Sequence, residues 1–164
     1  MRYRSATGIS LEVTPARPMG RVSERKAGPM AQHQHLILIA EDDRDIRDLL
    51  TVTLESAGFA TVAAKDGNTA ARILRVARPA GLITDVRMPA LNGMELAQIA
   101  RRDPAIRDTA ILMISSNAHA HDIDAGLGAG ADRYLPKPIS PPRVVAELRD
   151  LLESRSPSGP QPRS

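Results

Sequence analysis

The stretch Gly81 to Gly93, GLITDVRMPALNG, decides the fold. Apolar Leu82, Ile83 and Val86 surround Asp85, and a Met88-Pro89 break follows almost at once. A short apolar run bounded by glycine and proline is the pattern of a parallel strand covered on both faces. Asp is disfavoured in strand interiors, so Asp85 belongs at the C-terminal lip, where open α/β sheets hold their chemistry. Taken alone, Asp85 also reads as the cap of a turn ahead of Pro89, and residues elsewhere in the chain have to decide between the two.

Working outward, the pattern repeats. Leu36-Ile37-Leu38-Ile39-Ala40 is a solid apolar strand that runs into Glu41-Asp42-Asp43. A helix is expected from Asp43 to Ala57, with Ile46, Leu49, Leu50, Thr53 and Leu54 on one face and Gly58 as its stop. Phe59 to Ala64 reads as a second strand, Asp66-Gly67 as a turn, and Asn68 as the cap of a helix that ends before Pro79. After the Asp85 strand, Asn92-Gly93 opens a helix that closes near Asp103-Pro104. Ala110 to Ile114 is a fourth strand ending at Ser115-Ser116-Asn117. Ala118 to Gly130 is a helix of weak propensity, rich in Ala and Gly. Arg133-Tyr134-Leu135 is a fifth strand broken by Pro136-Lys137-Pro138, and Pro141 to Glu153 is the last helix. Five βα units predict a doubly wound parallel sheet, and the flavodoxin-like order 2-1-3-4-5 is the common solution. That order puts its switch point between strands one and three, where Glu41, Asp42 and Asp85 meet.

Composition sets the limits. At 164 residues the chain suits one domain with flanking tails. It has no Cys, so it has no disulfide framework and no thiolate site, which fits a reducing cytoplasm. No apolar run is long enough for a bilayer, and no signal-peptide pattern opens the chain. The net charge of +3 suggests a nucleic-acid binder until the charges are located: residues 1–30 hold six basic and two acidic side chains, Arg155 and Arg163 add two more, and 31–153 is net negative. Residues 1–34 lack sustained periodicity and are expected to be disordered, with Met19 or Met30 as alternative starts, and 154–164 is expected to be a frayed tail.

The strand ends together supply Glu41, Asp42, Asp85, Ser115 and Lys137. Clustered carboxylates repel unless a cation intervenes. An oxygen-only set without His or Cys suits Mg²⁺, which takes one or two carboxylates plus waters and a phosphate. Lys137 offers a point charge for phosphoryl oxygens and Ser115 a hydroxyl donor. These parts describe phosphoryl transfer to a carboxylate, with Asp85 attacking in line. If Ser115 is drawn inward, Tyr134 can fill the space behind it, which reshapes the surface of the fourth helix, fifth strand and fifth helix.

The motifs LILIAEDD, GLITDVRMPALNG, ILMISS and YLPKP, in this order, resemble the receiver domain of bacterial two-component response regulators, over about residues 35–153. The resemblance implies that Asp85 is the phosphoacceptor. It implies that Glu41 and Asp42 are the acidic pair, with Asp42 the firmer metal ligand, and that Arg87 ligates the metal through its backbone carbonyl. It further implies that Ser115 is the switch hydroxyl, Tyr134 the switch aromatic, and Lys137 a lysine ahead of a cis-prone Pro138. Ser116, Asn92-Gly93 and Ile139 depart from the usual pattern without removing a needed group. Arg87 and Asn117 flank the site and are expected to tune the lifetime of the acyl phosphate.

The function so implied is that of a single-domain response regulator, similar to the chemotaxis type. It takes its phosphoryl group from a sensor histidine kinase or a histidine phosphotransfer protein, acts on a downstream protein target, and has no DNA-binding domain and no membrane attachment. A phosphate shuttle or sink is the alternative. An Asp-nucleophile phosphatase needs a second Asp two residues after the nucleophile, and Arg87 stands there. A nucleotide hydrolase needs a Gly-rich phosphate loop that the chain lacks. Asp43 is expected to cap the first helix, and His119, His121, His33 and His35 to be solvated rather than metal ligands.

Overall fold

The structure, a computed structural model, describes residues 34–155 and two short strands at 2–4 and 10–12. The five-stranded sheet consists of β1 (Leu36–Ala40), β2 (Ala60–Ala64), β3 (Gly81–Asp85), β4 (Ala110–Ser115) and β5 (Arg133–Pro136). All its pairings are parallel, in the order β2-β1-β3-β4-β5. The helices that alternate with them are α1 (Arg44–Ser56), α2 (Gly67–Ala77), α3 (Gly93–Arg102), α4 (Ala120–Ala129) and α5 (Pro141–Arg155). This is the flavodoxin-like order that the sequence predicts.

Alternation along the strands divides the core in two, because successive side chains point to opposite faces. Leu38, Leu82, Ile111 and Met113 pack with Ala70, Leu74, Leu96 and Ala97 of α2 and α3. Ile37, Ile39, Ile83, Leu112 and Ile114 pack with Leu50 and Leu54 of α1 and Val144 and Leu148 of α5. Both faces are therefore covered, which is why the strands read as unbroken apolar runs.

Several local expectations are corrected. The cap of α2 is Asp66, not Asn68: its carboxylate accepts from the Thr69 amide at 2.8 Å and the Thr69 hydroxyl at 3.0 Å, so the helix starts earlier, at Gly67. Leu49 is 45% exposed, because turning Leu50 and Leu54 to the sheet leaves it about 100° round the helix, toward the outer side of α1. The α4 helix begins at Ala120 rather than Ala118. The last strand runs on to Pro136, tolerated because β5 is an edge. Helix α5 continues to Arg155, beyond the expected end at 153, and Arg155 donates to the Asp108 carbonyl and the Asp132 carboxylate. In the N-terminal extension, Arg2–Arg4 pairs antiparallel with Ser10–Glu12 in a sheet of its own, so six residues expected to be disordered are strand. The rest of that extension, with Met19, Met30 and His33, and residues 156–164 lie outside the described residues.

The loop from Val86 to Asn92 is closed by two glycines. A Cβ on Gly93 would overlap the Asp85 carbonyl oxygen, and one on Gly67 would overlap the Leu91 carbonyl. The Gly93 amide donates to the Val86 carbonyl at 2.9 Å and Asn92 caps α3 in a capping box with Glu95. By contrast, Gly128 is an exposed position within α4 where a Cβ would meet nothing within 4 Å. Gly93→Ala is expected to lower unfolding free energy by about 1–3 kcal/mol through overpacking against backbone. Gly128→Ala should raise it by up to about 1 kcal/mol through helix propensity. Urea unfolding of both variants measures the pair.

Candidate functional site

The parallel register brings four strand ends to one edge. Ala40 pairs with Thr84 and Asp85 with Ile114, while Ser115 pairs with Pro136. The residues that follow or end these strands are Glu41, Asp85, Ser115 and Lys137. Glu41 is 2% exposed, Asp85 8% and Ser115 1%, whereas Asp42 is exposed.

One carboxylate oxygen from each of Glu41, Asp42 and Asp85 lies within 4.8 Å of the others. It is the one such cluster of three or more His, Cys, Asp or Glu ligands among the described residues. His119 and His121 stack on each other at 5.8 Å, exposed and outside it. Two like charges at that spacing repel by about 3 kcal/mol at a near-surface dielectric. Lys137 offsets part of this: its Nζ is 3.1 Å from Glu41 Oε2 and 3.3 Å from Asp85 Oδ2. Three carboxylates and one ammonium leave two negative charges, which an oxygen-ligated divalent cation such as Mg²⁺ would balance. The donor set and its charge therefore fit Mg²⁺.

The carboxylates are not equivalent. Glu41 is committed on both oxygens, since Oε1 accepts from the Asp43 amide at 3.1 Å and Oε2 from Lys137. Burial, aided by the charge of Asp85, pushes its pKa up. The Asp42 carboxylate accepts no hydrogen bond among the described residues and is the free member of the pair. Asp43 does what its position predicts: its carboxylate accepts from the amides of Asp45 and Ile46 and caps α1. Asp85 Oδ1 accepts a long bond from the Arg87 amide at 3.3 Å. Its backbone carbonyl accepts from the buried Thr84 hydroxyl at 2.9 Å, so the strand end is fixed from behind.

A second set of contacts starts at Ser115, on the strand beside Asp85. The Asn117 amide donates to Ser115 Oγ at 3.1 Å, and the Asn117 carbonyl accepts from the Tyr134 hydroxyl at 2.7 Å. The Tyr134 ring lies against Gly126 of α4, where a Cβ would come within 2.8 Å of it. The C-terminal end of α4 is held by Arg101 Nε, which donates to the Gly130 carbonyl at 2.9 Å, while its N-cap His119 makes no side-chain capping bond. The Lys137 amide donates to the Ser115 carbonyl at 2.8 Å, and the Lys137-Pro138 peptide bond is cis.

Two residues near the site escape the sequence reading. Thr84 looks like an ordinary strand residue. Arg47, in the first turn of α1, looks like a solvated helix cation, yet its Nη1 donates to the carbonyls of Glu41 at 2.9 Å and Asp42 at 3.3 Å. Its partners are backbone atoms, which carry no sequence signal; only the i+5 and i+6 spacing back to the loop could have pointed to it.

Residues 37–149 match the model of the response regulator receiver domain family. The chain belongs to that family. Over 116 residues it is 33% identical to the DNA-binding response regulator MtrA of Mycobacterium tuberculosis, a match that covers 71% of this chain and 50% of MtrA. The response regulator MprA of Mycolicibacterium vanbaalenii is 36% identical over 121 residues, 74% of this chain and 52% of MprA. The chain thus spans about half the length of the curated relatives it matches. Among solved structures, the chemotaxis response regulator CheY4 of Vibrio cholerae superposes with a TM-score of 0.69 at 29% identity, covering 72% of this chain and 98% of that one. The receiver domain of the Francisella response regulator 1452 gives a TM-score of 0.70 at 26% identity over 74% and 98%. No helix among the described residues is long and apolar enough to cross a membrane.

The ammonium of Lys137 links the two buried carboxylates and gives the site a pH signature. Burial disfavours its charge, but the hydrogen bond to Glu41 and the charges of Asp85 and Glu41 outweigh this and raise its pKa. A cation with a raised folded pKa contributes stability that is complete below the ordinary lysine pKa and is lost as pH rises through the folded value. In metal-free buffer, thermal stability should therefore fall on an alkaline limb, and Lys137→Met should remove that limb. Melting curves across the alkaline range of both proteins read the difference.

Proposed function

We propose that this receiver accepts a phosphoryl group on Asp85 from the phosphohistidine of a sensor histidine kinase or a histidine phosphotransfer protein. The observation that carries the reading is the bridge from Lys137 to both Asp85 and Glu41, set beside an uncommitted Asp42. An Asp85 carboxylate oxygen forms the new bond to phosphorus, the phosphorus–nitrogen bond breaks, and the imidazole leaves with the electron pair. Lys137 Nζ swings from carboxylate to phosphoryl oxygen, and its charge offsets the anion that Asp85 gains. Asp42, Asp85 and the Arg87 carbonyl, with Glu41 behind them, would hold Mg²⁺, which when bound supplies positive charge to the phosphoryl oxygens.

The output follows from the second set of contacts. Phosphorylated Asp85 needs a further donor, and the Ser115 hydroxyl is the nearest neutral one on the adjacent strand. Movement of Ser115 passes through the single residue Asn117 to Tyr134, and so to the face of α4, β5 and α5. The α4 helix is fixed at its Gly130 end and free of a side-chain cap at its His119 end, so its first turn is where a change costs least. Signalling then takes the form of altered affinity for a downstream protein, with a coupling of about 1–3 kcal/mol. The reading of a receiver that works without a linked output domain draws its support from CheY4, matched along 98% of its chain. In this reading the protein works in the bacterial cytoplasm, where such a kinase presents its phosphoryl group.

Acetyl phosphate with Mg²⁺ should add one phosphoryl group to the protein, mapped to Asp85 by mass spectrometry of peptides, and Asp85→Asn should abolish it. Equal labelling of the Asn variant would sink the assignment.

A further inference from the structure

Asp42 is the carboxylate best placed to meet a cation, yet nothing among the described residues holds its side chain. Its direction must then come from the backbone of the loop between β1 and α1. That loop is fixed at its start by the Glu41 amide, which donates to the Ala64 carbonyl at 3.1 Å. It is fixed at its end by Asp43, whose amide donates to Glu41 and whose carboxylate caps α1. Between these points the carbonyls of Glu41 and Asp42 have one side-chain donor among the described residues, Arg47. Arg47 is half-buried, and its Nη1 reaches both carbonyls at once from one turn inside the helix.

We propose that Arg47 is a positioning residue for the metal: it fastens the two peptide groups that aim Asp42, so that the acidic pair is presented in a cation-ready arrangement before the ion arrives. The inference rests on the metal reading given above. Two effects of the side chain oppose each other. Its positive charge disfavours a nearby cation, while its hydrogen bonds spare the loop the ordering that binding would otherwise require. A purely electrostatic role predicts tighter metal binding when Arg47 is neutralised; a positioning role predicts weaker binding. Removing an outer partner of a metal ligand commonly costs at least about ten-fold in affinity.

The test is Mn²⁺ binding to the full chain, measured by the loss of the free-ion signal in electron paramagnetic resonance. Arg47→Met keeps helix propensity and removes both the donors and the charge; it should bind Mn²⁺ about ten-fold more weakly than the unaltered protein. Arg47→Gln, too short to reach either carbonyl, should weaken binding in the same direction. Metal-free melting curves identify the folded variants, and one folded variant with weakened binding is the expected result. A folded variant that binds Mn²⁺ as tightly as the unaltered protein, or more tightly, overturns the inference. Asp42→Asn separates this from failure of the metal reading: if it binds Mn²⁺ as the unaltered protein does, the acidic site itself is wrongly assigned, and the Arg47 inference falls with it.

Discussion

Three carboxylates drawn within 4.8 Å of one another are the constraint on which the rest of the molecule turns. Such a cluster is costly, and only a rigid frame keeps it together. The frame is the parallel pairing of β1 with β3, which sets Glu41 beside the end of the Asp85 strand, and the crossover that brings Lys137 to both. Burial of Glu41 and Asp85 sharpens the electrostatics on one side, while exposure of Asp42 leaves the other side open to solvent. The glycines at 67 and 93 belong to the same frame, since backbone must pass within van der Waals distance of the Asp85 and Leu91 carbonyls to close the loop below the site. Structure and reactivity are thus joined at one sheet edge, where the fold holds charge that it could not hold elsewhere.

The strands were legible because both their faces are covered. LILIA and AILMIS read as continuous apolar runs that end where a polar residue first appears, and GLITD departs from this by the one buried Thr84 ahead of Asp85. The candidate site residues stood out for the same reason, since an Asp, Ser or Lys at such an end contrasts with the run before it. Side-chain partners outside the strands were harder. Asp66 and Asn68 are both good caps, and the choice fell to Asp66 through its bonds to Thr69, with Gly67 pressed against Leu91, a contact between residues 24 positions apart. Leu49 follows the helical pattern of its neighbours but sits just beyond the face that α1 buries. Arg47 was silent because it serves backbone carbonyls. The pairing of Arg2–Arg4 with Ser10–Glu12 was hidden by the charged and irregular sequence around it.

The connection from Ser115, on the strand beside Asp85, to the face of α4 is short. Ser115, Asn117 and Tyr134 form one chain of hydrogen bonds, and the missing side chain at Gly126 lets the Tyr134 ring lie on the backbone of α4. An element of low helix propensity sits at the end of this chain, held by Arg101 at its Gly130 end and without a side-chain capping bond at His119. In the proposed reading α4 is the part that changes, and its Ala and Gly content gives it the marginal local stability such a part needs.

The most direct test of the account is the spread of backbone amide shifts when the protein, with Mg²⁺, is titrated with beryllofluoride as a mimic of the acyl phosphate. Changes that extend from Asp85 and Arg87 through Ser115, Asn117 and Tyr134 into the first turn of α4 are the predicted result. Shifts confined to residues 41–43 and 85–87, with α4 and β5 unchanged, would contradict it.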